Sequence, residues 1–165
     1  MPLIEAPDAQ TSFLKISEQG NVMGSELRVG DIMTKKVVTV PYGKTILEVA
    51  KLMKKNNIGS VIVVEDKEGK NAKGIITERD IVYKILAKGS DPYKSKAEEI
   101  MSRPLRVVKP DTSIEDAAKA MRENKIKRLP VVNDANELIG ILSEGDIMKI
   151  FPVVVDLIEE RAAIS

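Results

Sequence analysis

Two short segments carry a hydroxyl and a carboxylate three residues apart: Thr77-Glu-Arg-Asp80 and Ser143-Glu-Gly-Asp146. An ionised carboxylate only accepts hydrogen bonds. Placed where a strand runs into a helix, it can take both vicinal hydroxyls of a ribose, while the free N–H groups of the helix start favour a phosphate. The same spacing also serves a local purpose as a capping box, with Thr77 or Ser143 as N-cap and the aspartate at N3, where the helix dipole favours it. Spacing alone leaves both readings open. Lys125-Ile-Lys127-Arg128 gathers cations at a helix end, where they either complement the dipole on a solvated surface or face an anion.

The 165-residue chain has no Cys, His or Trp. Structural zinc, thiol nucleophiles and imidazole bases are thereby excluded, and no disulfide can form. Carboxylates are plentiful, but no nucleophile stands beside a base in a recognisable pattern, so neither catalysis nor a metal site is expected. With 26 Lys+Arg against 25 Asp+Glu the net charge is near +1, and no helix-turn-helix or basic arm is present. Direct nucleic-acid binding is not expected without a strongly basic face. The longest apolar run, Ile150-Phe-Pro-Val-Val-Val155, is far short of the roughly 20 residues of a membrane span, and no leader pattern is seen. The expectation is a soluble, cytoplasmic protein without membrane contact.

What must position these residues is a unit written twice. Asp31-Ile-Met-Thr34 recurs as Glu99-Ile-Met-Ser102, and a shift of 68 keeps Val40/Val108, Ile46/Ile114, Met53/Met121, Ile58/Ile126 and Val63/Val131 in register. A shift of 66 aligns Gly74–Ile81 with Gly140–Ile147, the difference falling in the polar, hairpin-like stretch between Glu65 and Lys73. Each copy reads as a short strand (37–40; 105–108), a helix capped by Thr45 or Ser113, two apolar strands (61–64 and 73–76; 129–132 and 138–142), and a second helix from Thr77 or Ser143. Glu48 completes a capping box with Thr45, and Asp116 makes a weaker one with Ser113. Ile46, Val49, Ala50 and Met53 share one face of the first helix, as Ile114, Ala117, Ala118 and Met121 do in the second copy. The second helices are expected to bury Ile81, Val82 and Ile85, and Ile147, Met148 and Phe151. The boundaries expected are an arm over 1–26, a first repeat over 27–88, a linker over 89–96, a second repeat over 97–151 and a C-terminal helix over 152–165. Copies this small bury too little surface alone, so an α/β (α+β) fold with the copies packed about a pseudo-twofold axis is expected.

The doubled order of D-I-M-T, helix, apolar strand and G-I-(I/L)-(T/S)-E-x-D-I resembles a tandem pair of CBS domains, the Bateman module, over about residues 27–151. The resemblance implies two β-α-β-β-α units with clefts between them for adenosine-containing ligands such as AMP, ADP, ATP, NAD or S-adenosylmethionine. It assigns Asp80 and Asp146, with Thr77 and Ser143, to ribose, and Lys127, Arg128 and Arg79 to phosphate. Arg103 and Lys35, which follow the two I-M-(S/T) segments, are also expected to bind phosphate at these clefts, and adenine is expected near Val37, Ile58, Leu105 and Ile126. Where the second repeat has Lys127 and Arg128 the first has Gly59 and Ser60, so the clefts should not be equivalent.

The leading expectation is a regulatory sensor of adenine nucleotides, needing no cofactor beyond that ligand, forming a homodimer and passing its state to an unidentified effector protein. The alternative is a non-catalytic scaffold whose clefts stay empty and whose aspartates only cap helices.

Overall fold

The computed structural model describes residues 27–150. The expected arm over 1–26, the helix over 152–165 and the burial of Phe151 lie outside the described residues. The elements run α1 (Val29–Ile32), β1 (Thr39–Pro41), α2 (Ile46–Asn56), β2 (Ser60–Val64), β3 (Ala72–Thr77) and α3 (Glu78–Ile81), the last continued by a π-helical turn, Val82–Leu86. The second copy follows with α4 (Ala97–Ile100), α5 (Ile114–Asn124), β4 (Arg128–Val132), β5 (Leu138–Ser143) and α6 (Glu144–Met148). This is the mixed α/β architecture read from the repeats.

Local chemistry explains the elements. Thr45 Oγ1 accepts from Glu48 N at 3.2 Å while Thr45 N donates to Glu48 Oε2 at 2.8 Å, a full capping box for α2. Ser113 accepts from Asp116 N at 3.1 Å, but Asp116 does not reach back. Both long helices end on a left-handed residue, Asn57 and Lys125. In the first copy β1 runs parallel to β2, and β2 antiparallel to β3. The β2–β3 and β4–β5 ladders carry the same irregularity, after Val63 and after Val131.

The second copy lacks a counterpart to β1. The expected strand over 105–108 reduces to one parallel bridge, Val108 to Val131. Proline explains the loss. In the first copy Ile62 N donates to Val38 O at 3.2 Å, and the residue 68 positions on from Ile62 is Pro130, which has no N–H for the carbonyl of Arg106. Two further expectations fail: Val82 and Met148 are 46% and 60% exposed. Each adjoins a residue that does face the core, Ile81 and Ile147, and neighbours on a helix lie about 100° apart, so one narrow stripe cannot bury both.

The two copies exchange their leading segments. Val29 is fully buried in a core with Ala117, Met121, Leu129, Val131 and Leu142, against which Ile32 and Met33 also pack. Conversely Ala97, Ile100 and Met101 belong to the core built on Ile46, Val49, Met53, Val61, Val63 and Ile76. Backbone bonds fix the exchange: Thr34 and Ile141 bond each other in both directions at 2.9 Å, and Ser102 N donates to Ile75 O at 2.8 Å. The methionines cross glycines, since a Cβ on Gly74 would stand 2.6 Å from Met101 Sδ, and one on Gly140 2.5 Å from Met33 Sδ.

Candidate functional site

The exchange brings each aspartate of the T/S-E-x-D motifs to a cleft whose facing wall belongs to the other repeat. Thr77, Arg79 and Asp80 meet Ser102 and Ile126–Arg128 around a cavity of about 390 Å³. Ser143 and Asp146 meet Thr34, Lys36–Val38 and Ile58–Ser60 around one of about 200 Å³. Arg128 borders both, because its Nη2 lies over Gly59, where a Cβ would stand 2.7 Å away.

Both aspartates close capping boxes, and both do so through one oxygen. Asp80 Oδ2 accepts from Thr77 N at 2.9 Å and Thr77 Oγ1 at 3.1 Å, while Asp80 N donates to Thr77 Oγ1 at 3.3 Å. Asp146 Oδ2 accepts from Ser143 N and Ser143 Oγ, each at 2.8 Å, and Asp146 N donates to Ser143 Oγ at 3.1 Å. Capping and ligand binding are therefore not exclusive. Each aspartate retains a second oxygen, Oδ1.

Those second oxygens differ. Lys84 Nζ stands 2.8 Å from Asp80 Oδ1, and Ser102 Oγ donates to the same oxygen at 3.3 Å. Burial pushes the Asp80 carboxyl up, but the Lys84 ammonium and the Thr77 N–H outweigh it and hold the group below its ordinary value. Around Asp146 Oδ1 the nearest ammonium is Lys149 at 3.7 Å, on a side chain 80% exposed.

The other residues singled out from sequence, Lys35 apart, fall in three places. Arg79, Lys127 and Ile126 border the Asp80 cleft, with the Arg79 guanidinium 4.8 Å from the centre of the Tyr83 ring. Val37, Ile58 and Ser60 border the Asp146 cleft, and Gly59 lies on both. Arg103 and Leu105 instead line a third cavity, of about 600 Å³, with Tyr42, Lys73 and Met101. Lys35 is exposed and its neighbour Lys36 stands on the Asp146 cleft. Alternation along an extended segment would have picked Lys36, two residues from Thr34. Lys84 was also missed, although its i,i+4 spacing from Asp80 signals an ion pair. Among the described residues no acidic cluster could hold a metal ion, and no helix is long and apolar enough to cross a membrane.

Comparison with known proteins supports the doubled fold. The CBS domain family profile matches residues 29–87 and 97–153. The CBS domain-containing protein YhcV of Bacillus subtilis is 42% identical over 119 residues, covering 72% of this chain and 81% of its own length. The CBS domain pair of protein MJ0100, solved in complex with 5′-methylthioadenosine and S-adenosylmethionine, superposes with TM-score 0.67 at 34% identity, over 76% of this chain and 96% of that one. A hexameric CBS-CP12 protein from bloom-forming cyanobacteria gives TM-score 0.68 at 38% identity, over 75% of this chain and 67% of that one. The chain belongs to the CBS domain family and carries two such domains in tandem.

Proposed function

We propose that this CBS pair is a regulatory module that binds an adenosine-containing ligand, from the set AMP, ADP, ATP, NAD and S-adenosylmethionine, between its repeats. The observation that supports the reading is the division of labour in each motif: one aspartate oxygen caps the helix, the other lies outside the cap, and the residue borders a cleft walled by the opposite repeat. A ribose diol on that oxygen touches both repeats at once, so binding biases their relative placement, and only such differential contact can shift a conformational equilibrium. The Asp146 cleft is smaller than the roughly 300–1,000 Å³ of ordinary ligand sites. Arg128 lines it with its guanidinium over Gly59, and a ligand that moves this group aside can receive it on a phosphate. The shifted state passes to an effector protein, with the module acting as a homodimer and without chemistry of its own.

Calorimetric titration of the five ligands into wild type, Asp80→Ala and Asp146→Ala tests this, with thermal melts to confirm folding. Micromolar binding of at least one ligand, lost in one folded variant, is the expected result. The completed capping boxes favour a second reading, a scaffold with empty clefts. It is upheld if the variants melt earlier while no ligand binds any protein.

A further inference from the structure

The surroundings of the two motif aspartates differ at position 84. Lys84 Nζ lies 2.8 Å from Asp80 Oδ1, 2.7 Å from the carbonyl oxygen of Ile100 and 3.4 Å from Ser102 Oγ, so its three donors meet three acceptors. Ile100 and Ser102 belong to the exchanged segment, so this ammonium ties the helix of the first repeat to the lead-in of the second. The residue 66 positions further on is Ile150, which can hold no carboxylate. Lys149, which approaches Asp146 instead, reaches only to 3.7 Å from an exposed position.

We infer that Lys84, together with Ser102, masks the carboxylate of Asp80 where it borders the first cleft. It takes the oxygen of Asp80 that a ribose would need, so the chain binds one adenosine-type ligand, at Asp146, and admits a second only when Lys84 is withdrawn. The inference rests on the ligand-binding reading above and adds which cleft works and what shuts the other. A diol reaching for Asp80 must displace a charge-assisted bond, about twice as strong as a neutral one, and strip the ammonium of one of three partners. At the Asp146 carboxylate itself it displaces only a solvent-exposed ion pair, which holds that group weakly, and the Arg128 guanidinium it moves aside stays free to pair with a ligand anion. The cations around the first cleft do not undo this, because Arg79, Lys127 and Arg128 can attract a phosphate but cannot accept from a sugar.

The test uses 5′-methylthioadenosine, which has no phosphate and so reports the sugar subsite without the surrounding cations. Calorimetric stoichiometry is measured for wild type, Lys84→Met, Lys84→Gln, Asp80→Ala, Asp146→Ala and the Lys84→Met/Asp80→Ala double variant, each checked by thermal melt. Wild type is expected to bind one equivalent per chain, lost in Asp146→Ala and kept in Asp80→Ala. Lys84→Met is expected to gain a second equivalent that the double variant loses again, and Lys84→Gln serves if Lys84→Met does not fold. Two equivalents in wild type, a single equivalent that depends on Asp80, or no gain in either Lys84 variant overturns the inference while leaving ligand binding intact. Absence of binding in every protein, with AMP and S-adenosylmethionine also silent, overturns the ligand-binding reading and this inference together.

Discussion

The Asp80 and Asp146 clefts are assembled from the same parts in exchanged order, and they show that sequence repetition preserves a scaffold more faithfully than it preserves chemistry. Both have a hydroxyl-carboxylate capping box, a glycine under a crossing methionine and a facing wall from the other repeat. What separates them is Arg79 against Gly145 within the motif and, outside it, Lys84 against Ile150 and Lys127-Arg128 against Gly59-Ser60. The conserved half of each site is the half that makes the helix start.

The shared parts should respond alike and the divergent parts differently. The largest effects are expected at the glycines. Gly74→Ala and Gly140→Ala should each lose about 1–3 kcal/mol in chemical denaturation, the range for overpacking a tight core. Gly74→Ala should lose more, since its new Cβ also stands 2.9 Å from Met101 Cβ, whereas at Gly140 the next contacts are 3.1 Å or more away. A mild effect at one glycine alone would break the equivalence of the two crossings.

Next come the caps. Ser143→Ala should cost about 1 kcal/mol, the usual value for a lost N-cap, and Thr77→Ala less, because Asp80 stays anchored by Lys84 and Ser102. Equal losses in urea melts would show that those anchors hold nothing in solution.

Lys84→Met should move the Asp80 carboxyl titration upward in side-chain NMR. Because the folded value lies below the unfolded one, near ~3.9 for an aspartate, the stabilisation is complete above that unfolded value and drains away as pH falls through the folded one. The stability gap between wild type and Lys84→Met should therefore close in acid. A gap independent of pH would place the role of Lys84 in its bond to Ile100 instead.

The smallest effect belongs to Glu48. Its carboxyl is held down to about 2 by the Thr45 N–H, with Lys44 and Thr45 Oγ1 assisting, yet the side chain is about half exposed to solvent. NMR should find that low titration, and Glu48→Gln should shift the melting temperature only slightly. Asp116, in the second copy, has no such reciprocal bond.

How far these features could be read in advance depends on how local they are. Capping at Thr45, Ser113, Thr77 and Ser143 was legible because it spans three residues, and the hairpin strands because their apolar runs are short and bounded. The missing strand before Val108 was not, since it is set by Pro130, a residue ordinary in its own strand and disruptive only to its neighbour across the sheet. Linear reading also grouped each aspartate with the cations and apolar residues of no particular cleft. The exchange of leading segments sets Asp80 beside Lys127, and Asp146 beside Lys36, and it rests on bonds between residues such as Thr34 and Ile141 that no local window contains.

That exchange also orders events during synthesis. A chain made from its N-terminus exposes Val29, Ile32 and Met33 long before their partners exist, because the core that covers them includes Leu129, Val131 and Leu142. The first repeat likewise lacks Ala97, Ile100 and Met101 until the linker has been made. The first interior can close once Met101 has emerged, but the second cannot until Leu142 has, so the nascent protein carries an apolar leading segment until both repeats have been made.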